Sequence, residues 1–263
     1  MRLAIKDNQR VPPNPFEKNA ICPICNSGVV AKCGKIKMWH WSHKNSEDCD
    51  SFGEPETEWH LNWKYNFPIE NQEVIVGKHR ADVKIKGIVI EVQNSKISQE
   101  QIIEREDFYG KMNWVLNGET LAHNFNLFEY KGFYKFKWKW FPKSWALSRK
   151  PIYIDLSYQK KDLIESISRY SNGMEHHSTY SDYDYEWEDD YGNIHYDGDY
   201  KHYFTRTVVD TERYLKELRN KLERFLEKDL FLIRKLSSNG TGWGKLVSKQ
   251  KFIEECKNGY YRD

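Results

Sequence analysis

The sequence predicts an α/β fold with a mixed sheet, and three observations carry that expectation. Residues 54 to 145 read as one core block, in which the apolar pattern as far as residue 116 changes period in the order helix, strand, strand, helix, strand. Ahead of that block, residues 1 to 53 hold four of the five cysteines, as expected of a small β module built round a metal. After it, residues 146 to 263 read as a C-terminal extension with an acidic, tyrosine-rich segment and a long amphipathic helix.

The central block is organised around His79–Gln93, which reads as two strands about a turn at Lys86-Gly87. Val83 and Ile85 alternate on the first strand. Ile88, Val89 and Ile90 form the continuous apolar run of a strand buried on both faces. Asp82 and Glu91 are set into this apolar frame, and a carboxylate on a buried strand is costly without a partner. Mg²⁺ or Mn²⁺ is the simplest partner, because such an ion takes one or two carboxylates and keeps the rest of its shell for water and phosphate. Gln93 alternates with Glu91 and so shares its side of the strand. The pattern resembles the PD-(D/E)XK nuclease core, in which an acid and an acid-x-lysine on adjacent strands hold the metal and orient the attacking water. Here Gln93 stands at the lysine position. The plain alternative is a strand pair with solvated acids.

In the first segment, Cys22-Pro23-Ile24-Cys25 is a knuckle whose two thiolates can grip one ion. Val29 to Ile36 reads as a hairpin with a glycine turn, followed by Trp39-His40-Trp41-Ser42-His43 and Cys49. Cys22, Cys25, His43 and Cys49 form the expected closed Zn²⁺ shell. His40 is the alternate nitrogen ligand, and Cys33 is the less favoured sulfur.

Taken in order, several of these motifs resemble the competence protein CoiA-like family. They are Cys-Pro-x-Cys, His40-Trp41-Ser42-His43-Lys44, Asp48-Cys49-Asp50, Glu56-Thr57-Glu58-Trp59-His60 and His79-Arg80-Ala81-Asp82-Val83. Glu91-Val92-Gln93-Asn94-Ser95 and Glu104-Arg105-x-x-x-Tyr109 continue the series. The resemblance covers roughly residues 20 to 118. It implies a zinc-binding front end followed by a PD-(D/E)XK, restriction-endonuclease-like core: a metal-dependent nuclease acting on single- or double-stranded DNA.

Residues 54 to 64 read as a helix with Pro55 in its first turn, and Trp59 and Trp63 form a core stripe. Glu56, His60 and Lys64 lie four apart on one face. That spacing alone also fits a solvated, ion-paired face. The family resemblance implies a third carboxylate at Glu56, with Glu58 in reserve, and His60, Lys64 and Arg80 turned toward phosphate. Ser98 and Gln101 match a capping box before a helix running from about Gln99 to Tyr109. Gln101, Arg105 and Tyr109 share a face that either holds a DNA backbone or buttresses the acids, while Ile102, Ile103 and Phe108 face the sheet. Met112–Leu116 is a buried strand.

Residues 127 to 141 give the clearest alternation, read as one strand with Tyr134, Phe136, Trp138 and Trp140 on one face and Lys135, Lys137 and Lys139 on the other. The lysines suit phosphate and the aromatics suit unpaired bases. Protective lysines on a sheet edge are the competing reading. Further on, Ile152–Leu156 reads as a strand and Leu163–Tyr170 as a short helix. The acidic run of residues 179 to 200 reads as an insertion, a hairpin or a cover, with His176, His177 and His195 as surface residues. Thr211 to about Leu236 reads as one helix, packed on the core or serving as a homodimer contact. Gly240-Thr241-Gly242-Trp243-Gly244-Lys245 lacks the preceding strand of a phosphate-binding loop. The lone Cys256 reads as an ordinary thiol. A formal charge of +2 says little about partners. No run spans a bilayer and no N-terminal apolar region is present, so the expected compartment is the cytoplasm. The rival expectations are an inactive nucleic-acid-binding protein that kept the nuclease fold, and a DNA-loading factor.

Overall fold

The computed structural model describes residues 1–44, 49–50, 52–122, 124–175, 177–181, 186–188, 194–196 and 205–262. Two compact units emerge: Met1–Tyr158 with Glu227–Asp263, and Gln159–Leu226.

The larger unit begins with five short strands, β1 (Ala4–Lys6), β2 (Gln9–Val11), β3 (Asn19–Ile21), β4 (Gly28–Lys32) and β5 (His40–His43). They form an antiparallel sheet in the order β2-β1-β3-β4-β5. Asp7 and Asn8 make the first turn with φ of 48° and 62°, a conformation that short polar side chains tolerate. The expected hairpin over 29–36 is longer than predicted: β4 pairs with β5, Lys32 opposite His40, and Cys33 to Trp39 form the connection. The core is small, with Ala4, Ala20, Cys22, Val29 and Trp41.

The sequence then supplies α1 (Glu58–Lys64), β6 (Gln72–Val76), β7 (His79–Ile85), β8 (Ile88–Gln93), α2 (Gln99–Tyr109), β9 (Met112–Asn117) and the single turn α3 (Gly118–Leu121). β10 (Phe125–Tyr130), β11 (Phe133–Trp138) and β12 (Ile152–Asp155) follow. α4 (Ser157–Ser171), β13 (His177–Ser181), β14 (Glu186–Glu188), β15 (Ile194–Tyr196), β16 (Thr205–Val209) and α5 (Thr211–Phe225) lead on to β17 (Leu230–Leu236), β18 (Thr241–Val247) and α6 (Lys249–Lys257). Nine of these strands form one mixed sheet, β10-β11-β18-β17-β12-β9-β8-β7-β6. β9 runs parallel to both β8 and β12, as a strand–helix–strand crossover through α2 requires, and the other pairs are antiparallel. All residues of β8, β9 and β12 are buried, which explains their unbroken apolar runs. Trp63, Val83, Ile90, Val92, Val115, Tyr153, Leu232 and Phe252 share one core.

Five expectations need correction. α1 starts at Glu58, not at 54, because the Thr57 side chain, on extended backbone, caps it by accepting from the His60 N–H. Pro55 and Glu56 therefore precede the helix. Residues 127–141 are not one strand but the hairpin β10/β11, turned at Lys131-Gly132, so β11 is not the sheet edge. The helix expected over 211–236 stops at Phe225, and Leu230-Phe231-Leu232-Ile233 enters the sheet as β17. A run of apolar residues fits a helix stripe and a doubly buried strand equally well. The C-terminal stretch is thus no separate helical extension: β12, β17, β18 and α6 complete the sheet and its core. Phe108, expected against the sheet, is 37 % exposed.

In the smaller unit, β13 pairs with β16 and β14 with β15, and Tyr170 of α4 meets Tyr214 of α5 edge-on at 4.9 Å. Most of the acidic, tyrosine-rich run lies outside the described residues, as does His176.

Candidate metal centre and acidic cleft

Two clusters of ligating side chains stand out, both within the larger unit. The first closes the N-terminal sheet. The turn after β3 carries Cys22 and Cys25, β5 ends in His43, and Cys49 returns beside them; their ligand atoms all lie within 4.8 Å of one another. Cys22 Sγ is 3.6 Å from Cys49 Sγ, and His43 Nε2 is 3.3 Å from Cys25 Sγ and 3.4 Å from Cys49 Sγ. Zn–S bonds of about 2.3 Å and Zn–N bonds of about 2.0 Å put tetrahedral sulfurs about 3.8 Å apart and sulfur and nitrogen about 3.5 Å apart. The four side chains fit that shell with no position to spare. His40 and Cys33 stay outside it; His40 Nδ1 meets the Met38 carbonyl at 2.8 Å. Burial and the Cys22 sulfur push the Cys49 thiol up to about 12. Burial also opposes ionisation of Cys25, but hydrogen bonds, those from Ser27 foremost, bring it down to about 6.

The second cluster lies where β7 and β8 run side by side. Val83 pairs with Ile90, so Asp82 and Glu91 fall opposite one another on one face. They are cross-tied: the Val92 N–H donates to Asp82 Oδ2 at 3.0 Å, and the Asp82 N–H donates to Glu91 Oε1 at 3.3 Å. α1 and the segment before it complete the wall. Lys64 Nζ lies 3.0 Å from Glu56, 3.1 Å from Asp82 and 3.3 Å from Glu73. From α2, Arg105 donates to Glu91 Oε2 at 3.2 Å, to Gln93 Oε1 at 3.4 Å and to the Phe52 carbonyl at 2.8 Å. The cleft between these groups has about 20 Å³ of free volume, room for one water or one ion.

Burial sets the charge states. It lifts Glu91 to about 8, with Asp82 adding to the rise and Arg105 opposing it, and it lifts Glu56 against the pull of Lys64. Burial also works against Asp82 and Glu73, but Lys64 holds both carboxyls below their ordinary values. Desolvation of Lys64 is likewise outweighed by Asp82, Glu73 and Glu56, so the ammonium stays charged. Four acids line the cleft, Glu54, Glu56, Asp82 and Glu91. With Glu73 behind Lys64 there are five carboxyl groups against the three cations Lys64, Arg80 and Arg105, and without a metal the cleft keeps a proton on Glu91. The donor set and its surplus fit one divalent cation.

Three further residues shape the cleft without having been singled out. Glu54 binds His60 Nε2 through Oε1, accepts from the Asn94 N–H at 3.0 Å, and accepts from Gln93 Nε2 at 2.9 Å. Its place at the start of the expected helix, where an acid suits the macrodipole, hid it. Glu73 interrupts the apolar β6 at φ 48° and accepts the backbone N–H groups of Arg2 at 3.1 Å and Leu3 at 2.8 Å. An acid beside Val74-Ile75-Val76 was the readable signal for it. Asp50 takes the Arg80 N–H at 3.2 Å and meets His79 Nδ1 at 3.0 Å, and the His79 ring stacks on Phe52 at 3.5 Å.

Some predicted roles are redistributed. The Thr57 N–H donates to His60 Nδ1 at 3.2 Å, so Nε2 carries the proton toward Glu54 and both ring nitrogens are occupied. Lys64 is buried among protein partners instead of facing outward, and Arg105 takes the second of its two expected roles, buttressing Glu91. Gln101 is used in the cap, Glu58 is exposed away from the cleft, and the Tyr109 hydroxyl is buried with no hydrogen-bond partner among the described residues. Lys135, Lys137 and Lys139 are exposed on and just beyond β11, not at this cleft.

Both clusters fall within or beside matched domains. Residues 14–52 match the N-terminal domain of competence protein CoiA, and residues 57–177 match its nuclease-like domain. This chain belongs to the competence protein CoiA family. Glu54 and Glu56 lie in the short gap between the two matches. Neither the curated proteins nor the solved structures gave a match. No helix among the described residues is long and apolar enough to cross a membrane.

Proposed function

We propose that this protein is a Mg²⁺- or Mn²⁺-dependent nuclease that hydrolyses phosphodiester bonds in DNA, with a structural zinc in its N-terminal module. The observation that supports it most is the pairing of Asp82 with Glu91 across adjacent strands at a cleft whose acids outnumber its cations by two. Asp82, Glu91 and the Val92 carbonyl are the proposed metal ligands, assisted by Glu56. A divalent ion bound there would polarise the phosphate and acidify its water. The protein's own groups do the remaining work. Gln93 is fixed by Glu54 through Nε2 and has one long partner on Oε1, which leaves a lone pair to orient a water proton. Lys64 keeps Glu56 and Asp82 side by side and supplies positive charge near the site where the Gln93 position lacks a lysine. Arg105 steadies Glu91 and Gln93, His60 steadies Glu54, and Arg80 lines the cleft as the phosphate-facing cation. The family places such a nuclease in competence, and DNA uptake, recombination and phage defence are the settings it suits.

One observation favours the rival reading of an inactive DNA-binding or DNA-loading protein: the Lys64 ammonium already sits 3.1 Å from Asp82, where a metal would otherwise compensate the charge. Cleavage of supercoiled plasmid and of single-stranded DNA in Mg²⁺ and Mn²⁺ separates the two. The nuclease reading expects metal-dependent cleavage that falls by about 100-fold or more in Asp82→Asn and in Glu91→Gln. DNA binding without cleavage by the zinc-loaded wild type supports the rival.

A further inference from the structure

The far edge of the nine-stranded sheet carries a surface that the cleft does not explain. Lys135 of β11 stands directly opposite Phe128 of β10 and Trp243 of β18, and Trp243 stands opposite Lys235 of β17. One step along, Lys137 lies between Asn126 and Thr241; in the other direction, Tyr130 pairs with Phe133. Lys245 follows Trp243 by two and shares its face. The other face of these strands holds the packed Phe125, Phe136, Trp138 and Phe231.

The outward face therefore alternates rings and ammonium groups. Phe128 is 54 % exposed, Tyr130 45 % and Trp243 38 %, and Lys135, Lys137, Lys235 and Lys245 are all exposed. Lys135 Nζ rests 4.4 Å from the centre of the Tyr130 ring, which holds the charge over the sheet. Among the described residues of β10, β11 and β18, none on this face is acidic; Glu129, opposite Tyr134, points to the other side. Gly242 and Gly244 keep β18 flat against its neighbours, since a Cβ at either would run into the Lys235 or Leu232 carbonyl.

A solvated sheet face ordinarily carries mixed charge and few rings. Large open rings interleaved with cations of a single sign match one class of polymer, a polyanion with aromatic faces free to stack. Duplex DNA offers the charge but hides the base faces. We infer that the β10-β11-β18 face is a docking platform for single-stranded DNA, with Phe128 and Trp243 stacking bases and Lys135, Lys137, Lys235 and Lys245 pairing with phosphates. The inference deepens the nuclease reading and rests on it for the choice of DNA as polymer, but binding here requires no metal in the cleft.

The test is fluorescence anisotropy of the zinc-loaded full chain with a labelled 20-nucleotide oligothymidine and with a duplex of equal length, no Mg²⁺ or Mn²⁺ added. Phe128→Ala with Trp243→Ala is expected to weaken single-strand binding about 25-fold or more and duplex binding less than threefold, since each stacked base contributes about 1–3 kcal/mol. Lys135→Gln with Lys137→Gln is expected to flatten the plot of log affinity against log salt by about 1.4, at about 0.7 per phosphate contact. Unchanged thermal melting shows that the variants fold; should the double alanine variant melt early, Trp243→Phe and the quenching of Trp243 emission by oligothymidine replace it. Single-strand affinity that survives both pairs of substitutions overturns the platform, as does equal loss for duplex. Cleavage is not read, so an inactive cleft leaves this result intact.

Discussion

The two ligand clusters of this protein solve the crowding of metal-binding groups in opposite ways. At Cys22, Cys25, His43 and Cys49 the donor atoms of the described residues converge within 4.8 Å of one another. At Asp82, Glu91, Glu56 and Glu73 the acids converge on Lys64 and Arg105, which are already in place. The first cluster depends on an external ion to hold it together. The second can hold itself together and keeps only a surplus of carboxyl groups, one of them protonated, for an ion to answer. One arrangement suits a permanent structural metal, and the other suits a metal that arrives with substrate and leaves.

That contrast predicts its largest effect at the zinc shell. The module's core contains two alanines and one large side chain, Trp41, too little apolar area to order five short strands by itself. Structural zinc contributes apparent binding energies on the order of 10–16 kcal/mol in small domains. Cys22→Ser is expected to reduce zinc from one ion per chain toward none, measured by elemental analysis, and to expose residues 1–53 to limited proteolysis. Because the Arg2 and Leu3 N–H groups hold Glu73, the same variant is expected to loosen the acidic cleft as well. A zinc-free variant whose N-terminal segment resists protease as the wild type does would break the comparison.

The second cluster should fail differently, through an unbalanced charge. Removing one partner of a buried ion pair costs about 3–5 kcal/mol, because the group left behind is neither solvated nor paired. Lys64→Met leaves Glu56, Asp82 and Glu73 without their shared cation. The expected loss is of that size in urea unfolding, with zinc content unchanged. Asp82 and Glu73 are held low in the fold, so the stability they contribute is present above the ordinary carboxylate range and is lost as pH falls below it. In Lys64→Met both carboxyls lose the cation that holds them low, so that acid-side loss should shrink or reverse.

Glu91 has the opposite sign and sharpens the same point. Its carboxyl is raised by burial to about 8, so the folded protein binds a proton that the unfolded chain has released. Its contribution is complete below the ordinary carboxylate range and is lost as pH rises from there through about 8, at no more than about 1.4 kcal/mol per pH unit. Stability of the protein without Mg²⁺ or Mn²⁺ should therefore decline over that window, and Glu91→Gln should flatten the decline. Urea midpoints between pH 5 and 8.5 measure it; a Glu91→Gln curve parallel to the wild type removes Glu91 as the cause.

How much of this was legible follows the same division. The Cys22, Cys25, His43 and Cys49 cluster was readable because a Cys-x-x-Cys knuckle restricts its partners strongly and only a few soft donors follow it. The paired strands bearing Asp82 and Glu91 were readable because a carboxylate inside an apolar run has few cheap explanations. Glu54 was not, since it acts through contacts with the distant Gln93 and Asn94; Glu73 was marked only as an acid beside an apolar run, and its partners, the Arg2 and Leu3 N–H groups, lie as far away in sequence. Leu230–Ile233 was misread because local period cannot tell a buried strand from a helix stripe; that choice is made by β12 and β18, which pair with it. The one-strand reading of 127–141 failed at Lys131-Gly132, where alternation continues in parity across a two-residue turn.

The smallest expected effect lies at the start of α1, where local structure positions the cleft. Thr57 accepts the His60 N–H, and its own N–H donates to His60 Nδ1, so a reciprocal cap fixes both the helix start and the imidazole that meets Glu54. Thr57→Ala should cost about 1 kcal/mol, the usual loss for a threonine cap. Histidine proton resonances should report the change, because losing the cap's side-chain contact to Nδ1 frees the ring to turn from Glu54. Thr57→Ser, which keeps the hydroxyl, is expected to restore both the midpoint and the resonance. If serine and alanine behave alike, the cap is not what aims His60, and the cleft owes its geometry to the strands alone.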